Sequence, residues 1–422
     1  MVRVRSSQLD RLRPVLAALP ANPFYAAKFA GHDVSNLDAA GFAALPFTTK
    51  AELTADQIDH PPYGSNQSVP AAAFTRLHQS SGTTTGRPLR WRDTPESWDW
   101  LLGCWRVSFP VMGLTAADRA FFPFSFGPFL GFWSAFEACG RLGCLTLAGG
   151  GMTSTGRLDA VIEHGITVVF ATPTYALHLA EVAEKGGVNL AGSAVRAVVV
   201  AGEPGGCVAG TRERIERVWG ARVFDHYGLT EVGPVAVEVE ADRRSMLVLE
   251  SEYIAEVLTP GGPDPVPAGD LGELVVTNLG RTGSPLIRYR TGDLVRTDPA
   301  PKRVAGVPDW LRLSGGVVGR VDDMIHVRGN NLYPSALEAI IRRFPGVAEY
   351  RVEVTRAGAM ADIRIAIEPA DPAAAPGLAD AVGRAVRDAL LFRVEVACVP
   401  PGALPRFEMK ARRIVTIDRP PA

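Results

Sequence analysis

Between His78 and Trp91 the chain reads HQSSGTTTGRPLRW. Hydroxyls and glycines crowded together let backbone N–H groups and Ser/Thr oxygens converge on phosphate oxygens without side-chain bulk in the way. Ser81, Gly82, Thr83, Thr84 and Gly86 are therefore candidate phosphate ligands. No GK[ST] follows at Walker spacing, so this is not a P-loop, and a polar turn is the bland alternative. A second stretch, DHYGLTEVGP at 225–234, sets a ring, a hydroxyl and a carboxylate side by side. Tyr227 can stack on a base, Thr230 can hydrogen-bond a phosphate, and Glu231 can hold Mg²⁺ through an oxygen. A capped turn with a solvated Glu reads the same way.

Three further segments carry charge where chemistry can use it. In LIRYRTGDL, 286–294, Asp293 follows a Thr-Gly turn and can accept both hydroxyls of a ribose, although Asp is common in such turns. In VGRVDDMIHVRGNNLYPSALEAII, 318–341, Arg320 precedes paired Asp322 and Asp323; a metal or acid/base site competes with a polar interdomain hinge, and the hinge reading is favoured. LPRFEMKARRIV, 404–415, contains Lys410 in a basic run that passes for a solvated face. Only five of the 44 basic residues are lysine, however. In so arginine-biased a chain a lysine suits a point cation brought to a reacting carboxylate and phosphate.

The elements that must position these residues change style twice. From about 118 to 233, short β-rich runs such as ITVVFATP and AVRAVVVAGE alternate with helical ones such as TYALHLAEVAEKGG and TRERIERVWG. This is the rhythm of a largely parallel sheet flanked by helices, and the loops at the carboxyl ends of such strands are the usual ligand walls. After Gly233, alternating strands separated by Gly/Pro/Asp turns read as an antiparallel β unit. Past Val318 a third pattern, with helices expected at about 335–344 and 378–392, reads as a small α+β domain. The expected fold class is α/β: a large N-terminal domain (1–318) with parallel-rich sheets and an antiparallel unit, plus a small C-terminal α+β domain (319–422).

Composition narrows the partners. Forty-four basic against 45 acidic side chains leave a net charge of −1, too little for a face that grips nucleic acid or a membrane surface. The five scattered cysteines offer no zinc-ligand spacing and read as buried thiols of a reducing compartment. The N-terminus lacks a signal-like apolar core, and the most apolar stretch, 121–147, carries Glu137, Arg141, prolines and glycines that a membrane span would not accept. A soluble cytoplasmic protein is expected.

Taken in order, the motifs NPFY, LPFTTKAEL, SSGTTTGRP, ATPTYALHLAE, AGEPG, HYGLTE, YRTGDL, GRVDDMI and LPRFEMKARRI span nearly the whole chain. With them the sequence resembles the acyl-activating, adenylate-forming superfamily and, within it, the phenylacetate–coenzyme A ligase family. The resemblance implies ATP, Mg²⁺ and coenzyme A as cofactors and a small-molecule carboxylic acid as substrate, with a homodimer possible in such a family. It implies that Ser81, Gly82, Thr83, Thr84 and Gly86 form the phosphate loop. Gly202, Glu203, Pro204, Asp225, His226, Tyr227 and Gly228 then match the segments contacting adenine and phosphate. Thr230 and Glu231 match catalytic positions, with Glu231 at the Mg²⁺ position; Asp293 matches the ribose position and Arg320 the arginine beside the hinge at Asp322. Lys410 matches the lysine of the adenylation step, and the C-terminal domain is expected to swing about Asp322 between two half-reactions.

The family places FFPFSFGPFLGFW, 121–133, beside the acyl group, so Phe126, Phe129, Ala201 and Tyr227 are the expected acid-binding residues and an aromatic acid the expected substrate. For each single Phe, a place in the core is the competing assignment. Three departures stand out: an extra threonine in the phosphate loop, where Thr83, Thr84 and Thr85 stand in a row and which of them faces phosphate is left open; Met409 where glycine normally precedes the lysine; and Asn331 in a variable hinge-domain loop. Met409 motivates one alternative, adenylation with transfer to an amine or other non-CoA nucleophile; a catalytically inactive nucleotide-binding homologue is another.

Overall fold

The structure is a computed structural model that describes residues 4–35, 37–80, 88–327, 330–357, 360–390, 392, 394–407 and 411–418. The continuous β-branched runs form the centre of the fold. Val168–Ala171 and Ala197–Val200 are buried at every position, as strands covered on both faces must be. They pair in parallel with each other, with Arg119–Phe122 on one side and with Arg222–Leu229 on the other.

The expected antiparallel unit is not a separate layer. It continues the same sheet, which has eleven strands among the described residues. The junction is the strand Arg222–Leu229, whose first half pairs in parallel with Ala197–Val200 and whose second half pairs antiparallel with Gly233–Val239. Beyond it lie Asp242–Val248, Arg312–Arg320, Tyr289–Thr297, Leu271–Asn278 and Tyr253–Leu258. The strand Arg312–Arg320 thus inserts between the strand just before it, Tyr289–Thr297, and the much earlier Asp242–Val248, and carries the large sheet two residues past the expected boundary at 318.

Helices pack on this sheet because their ends are encoded as firmly as their apolar faces. Thr94, Thr153 and Thr172 each accept the backbone N–H three residues on. Pro95 and Pro173 occupy first-turn positions where no N–H is needed. The helix Pro173–Gly186 begins directly at the carboxyl end of Val168–Ala171, which places its capped N-terminus at the sheet's ligand edge.

The C-terminal region builds its own four-stranded sheet, in which the hairpin Val347–Ala357 and Met360–Pro369 is flanked in parallel by Ile414–Asp418 and Glu395–Cys398. Its helices, Pro334–Ile341 and Ala375–Leu390, fall within three residues of the expected starts and ends. This sheet is tied to the large one by arginines. Arg413 grips Glu349 through Nε and Nη2 at 2.6 and 2.9 Å and reaches Thr174 Oγ1 at 3.1 Å. Arg406 joins Glu368, on the hairpin, to Glu181 of the helix Pro173–Gly186. At Gly210 any side chain would run into the carbonyl of Arg342, since an added Cβ would lie 1.9 Å from it, so this contact requires glycine.

Candidate active site

A cavity of about 880 Å³ lies along the carboxyl ends of the central strands. Ala171 ends one strand and Thr172 follows it, Ala201 and Gly202 follow the next, and His226, Gly228, Thr230 and Glu231 come from the antiparallel end of the junction strand and the turn after it. Gly202 adopts φ +94°, a left-handed turn that lets the chain leave its strand at the cavity wall.

The polar wall centres on Glu231 and the Asp293–Arg320 pair. Glu231 is 4% exposed, and its Oε1 accepts the Tyr289 hydroxyl at 2.8 Å. The turn is braced from behind: Arg281 donates to the Thr230 carbonyl at 2.9 Å while binding both oxygens of Asp93 at 2.6 and 2.7 Å. Burial pushes the Asp93 carboxyl up, but Arg281 and His78 outweigh it and hold the group below the usual carboxylate range. Asp293 is clasped on both oxygens, by the Tyr227 hydroxyl at 2.6 Å and by Arg320 Nη1 at 2.8 Å. Arg320 also donates to Asp322 Oδ1 at 2.9 Å. Burial, then the adjacent Asp293, pushes the Tyr227 hydroxyl well above its ordinary value, so it stays a donor.

Alternation along the junction strand sorts its residues, because successive side chains of a strand point to opposite sides. His226 and Gly228 border the cavity; Asp225 and Tyr227 do not. Tyr227 is spent on Asp293, and Asp225 packs under Gly206 beside Cys207 and Glu238. Burial and the negative Glu238 raise the Asp225 carboxyl to about 7. The Asp293 carboxylate likewise stands behind Arg320, which borders the cavity together with Asp322 and Asp323. Glu203 and Pro204 lie off the wall; the Glu203 carboxylate instead accepts the N–H groups of Thr174 and Ala411, each at 2.8 Å.

The other wall is aromatic. Trp105, Phe124, Phe129 and Phe132 border it. Phe126, expected beside them, packs on Trp133 at 4.4 Å and on Phe124 and Phe136, a core position off the cavity. Sequence reasoning did not single out Trp105 or Ser134, and within the run 121–133, expected beside the acyl group, it named Phe126 and Phe129 but not Phe124 or Phe132. It also passed over Lys50, the first residue of the helix Lys50–Asp59, which borders the cavity. Its signal was available, since it is one of only five lysines.

Ser81, Gly82, Thr83, Thr84, Thr85 and Gly86, and likewise Met409 and Lys410, lie outside the described residues, as does the side chain of Asn331. Their neighbours Gln79, Ser80 and Pro88, and Ala411 and Arg412, border the cavity. Among the described residues no group of three or more His, Cys, Asp or Glu stands ready to hold a metal. One buried carboxylate beside a threonine suits a Mg²⁺ whose remaining ligands are substrate phosphates and water.

Two family profiles match the chain: AMP-binding enzyme over residues 104–281 and AMP-binding enzyme C-terminal domain over 329–418. The phenylacetate-coenzyme A ligase of Pseudomonas putida is 30% identical over 374 residues, covering 86% of this chain and 82% of that protein. That of Thermus thermophilus is 28% identical over 447 residues, with 99% and 97% covered. Among solved structures, 2-hydroxyisobutyryl-CoA ligase in its postadenylation state with an acyl-AMP superposes with a TM-score of 0.90 at 29% identity, over 97% of this chain and 89% of that one. The same ligase in its thioesterification state, with acyl-AMP and CoA, gives 0.71 over similar lengths. Among the described residues no helix is long and apolar enough to cross a membrane.

Proposed function

Because the chain belongs to the phenylacetate–coenzyme A ligase family of AMP-binding enzymes, we propose that it converts an aromatic carboxylic acid and ATP to an acyl-adenylate and then passes the acyl group to coenzyme A. The observation that carries this reading is the meeting, in one cavity, of an aromatic wall with a polar wall built on Glu231, Thr230 and Arg320. The first wall suits a ring and the second suits phosphates and ribose.

In the first half-reaction an oxygen of the substrate carboxylate attacks the α-phosphorus of ATP in line, and the bond to pyrophosphate breaks. Two anions must meet for this to happen, so fixed positive charge is the main requirement. Lys410 is the proposed cation at the reacting oxygens. Glu231, oriented by Tyr289, and Thr230, whose turn is held by Arg281, are the proposed holders of Mg²⁺. When bound, that ion offsets phosphate charge. Arg320 is preset by Asp293 and Asp322 to face the nucleotide. Burial works against its charge, but the two aspartates raise its pKa and keep it cationic.

In the second half-reaction the thiolate of coenzyme A attacks the acyl carbonyl and AMP leaves. The C-terminal region, 319–422, is proposed to turn about Asp322 between the halves. The better superposition on the postadenylation state supports assigning the present arrangement to the adenylation side. The test is pyrophosphate release with ATP, Mg²⁺ and a panel of aryl and aliphatic acids, with and without coenzyme A, followed by mass spectrometry. Acid-dependent pyrophosphate with an acyl-CoA product is expected; acyl-adenylate without thioester would reject coenzyme A as acceptor, and no release from any acid would reject the ligase.

A further inference from the structure

The aromatic wall holds a polar group that no described residue satisfies. His226 Nε2 is buried and meets no hydrogen-bond partner. The ring lies flat on Trp105, with centroids 4.2 Å apart and planes 18° from parallel, and the residue borders the cavity. Trp105 cannot serve the imidazole, because its Nε1–H is given to Ser134 Oγ at 2.8 Å. Phe124, Phe129, Leu130 and Phe132, which border the same side, have nothing to offer.

A buried polar atom without a partner costs free energy that a purely apolar side chain would avoid. Phe or Leu would stack on Trp105 equally well, so an apolar substrate would gain nothing from this imidazole. Burial lowers the His226 pKa to about 3, so at neutral pH the ring carries one N–H and one lone pair. Ser134, which borders the same cavity, accepts from Trp105 and keeps its own hydroxyl hydrogen to donate. A group able both to donate and to accept matches this pair, and a hydroxyl is the smallest that does.

We propose that His226 and Ser134 form a polar subsite for a hydroxyl on the ring of the acid, so that the enzyme selects hydroxyaryl carboxylic acids over their unsubstituted parents. This inference rests on the ligase reading above and narrows its substrate class. A site built to hydrogen-bond a substrate hydroxyl discriminates strongly against the analogue lacking it, because its own polar groups are then left unpaired.

The experiment compares kcat/KM for pyrophosphate release by the full-length protein on benzoate, phenylacetate and their 2-, 3- and 4-hydroxy derivatives. At least one hydroxy acid should exceed its parent by about tenfold or more in the unaltered enzyme. In His226→Phe, which keeps a ring on Trp105, that ratio should fall toward one; Ser134→Ala should lower it as well. Because the ratio is taken within each enzyme, a general loss of activity does not disturb it, and the unaltered enzyme alone decides if a variant fails to fold. Parents that match every hydroxy acid would overturn the subsite while leaving the ligase intact. A His226→Phe enzyme with an unchanged ratio and a raised KM for ATP would assign the imidazole to the nucleotide and overturn it too. Silence with every acid would remove the ligase reading and this one with it.

Discussion

The Glu203 carboxylate accepts the backbone N–H of Ala411 at 2.8 Å, so a loop at the sheet's ligand edge holds the residue next to Lys410. Its other oxygen accepts the N–H of Thr174 at the start of a helix, which fixes the carboxylate from the large-sheet side. Position 203 therefore works as a latch rather than as a cavity wall, and a latch favours whichever arrangement of the two sheets lets it close.

Glu203→Ala removes the latch. A hydrogen bond to a charged group contributes about 1.5–3 kcal/mol, so the adenylation rate should drop by about ten- to a hundredfold. Thioester formation from supplied acyl-adenylate and coenzyme A should change much less. Single-turnover measurements of each half-reaction check this, and equal losses in both would count against a state-specific latch.

On the role proposed for it, Lys410→Ala should abolish most adenylation while leaving the fold and ATP binding largely intact, because the charge would act mainly where the carboxylate and phosphate meet. Removing one preorganised electrostatic group of this kind costs about 10²–10³ in kcat. Pyrophosphate release, set beside equilibrium ATP binding and a melting curve, separates the two effects.

The Arg281–Asp93 pair is fully buried on both sides and carries the Thr230 carbonyl. Removing one partner of such a pair leaves an uncompensated charge, so Asp93→Ala should destabilise the protein by about 3–5 kcal/mol. Arg281→Met with Asp93→Leu should recover much of that stability. It should not recover activity, since the turn bearing Thr230 and Glu231 loses its brace. Denaturation midpoints and pyrophosphate release, measured on the same preparations, test the two claims.

The parts of this site that the sequence disclosed are those where chemistry and backbone share one short segment. Thr230 and Glu231 sit in a turn whose glycine and hydroxyls mark it, and both border the cavity. The aromatic wall was not legible in the same way. Trp105 and Ser134 meet only because the helices Pro95–Val111 and Trp133–Leu142 pack together, and within each helix they look like any buried residue. Phe126 and Phe129 are three positions apart in one glycine-rich run, yet one faces core and the other cavity, a choice made by tertiary packing. The single eleven-stranded sheet was hidden for a related reason. A parallel pattern and an antiparallel pattern follow one another in sequence, and nothing local says that one strand serves both.

Asp225 gives the last prediction. Burial and the adjacent Glu238 raise its carboxyl to about 7 in the folded protein, against 3.8 for the free group. Between those values the folded state holds a proton that the unfolded state has released, so stability from this residue is present at low pH and lost as pH rises toward 7. Asp225→Asn replaces the protonated form with a neutral side chain of the same shape and removes that dependence. Relative to the unaltered protein it should therefore gain stability from pH 5 up to about pH 7 and level off above that. His226, whose depressed pKa acts with the opposite sign, is common to both proteins and cancels in the difference. Chemical denaturation of the pair across this range checks the slope; a difference independent of pH would show that Asp225 is already ionised when the chain is folded.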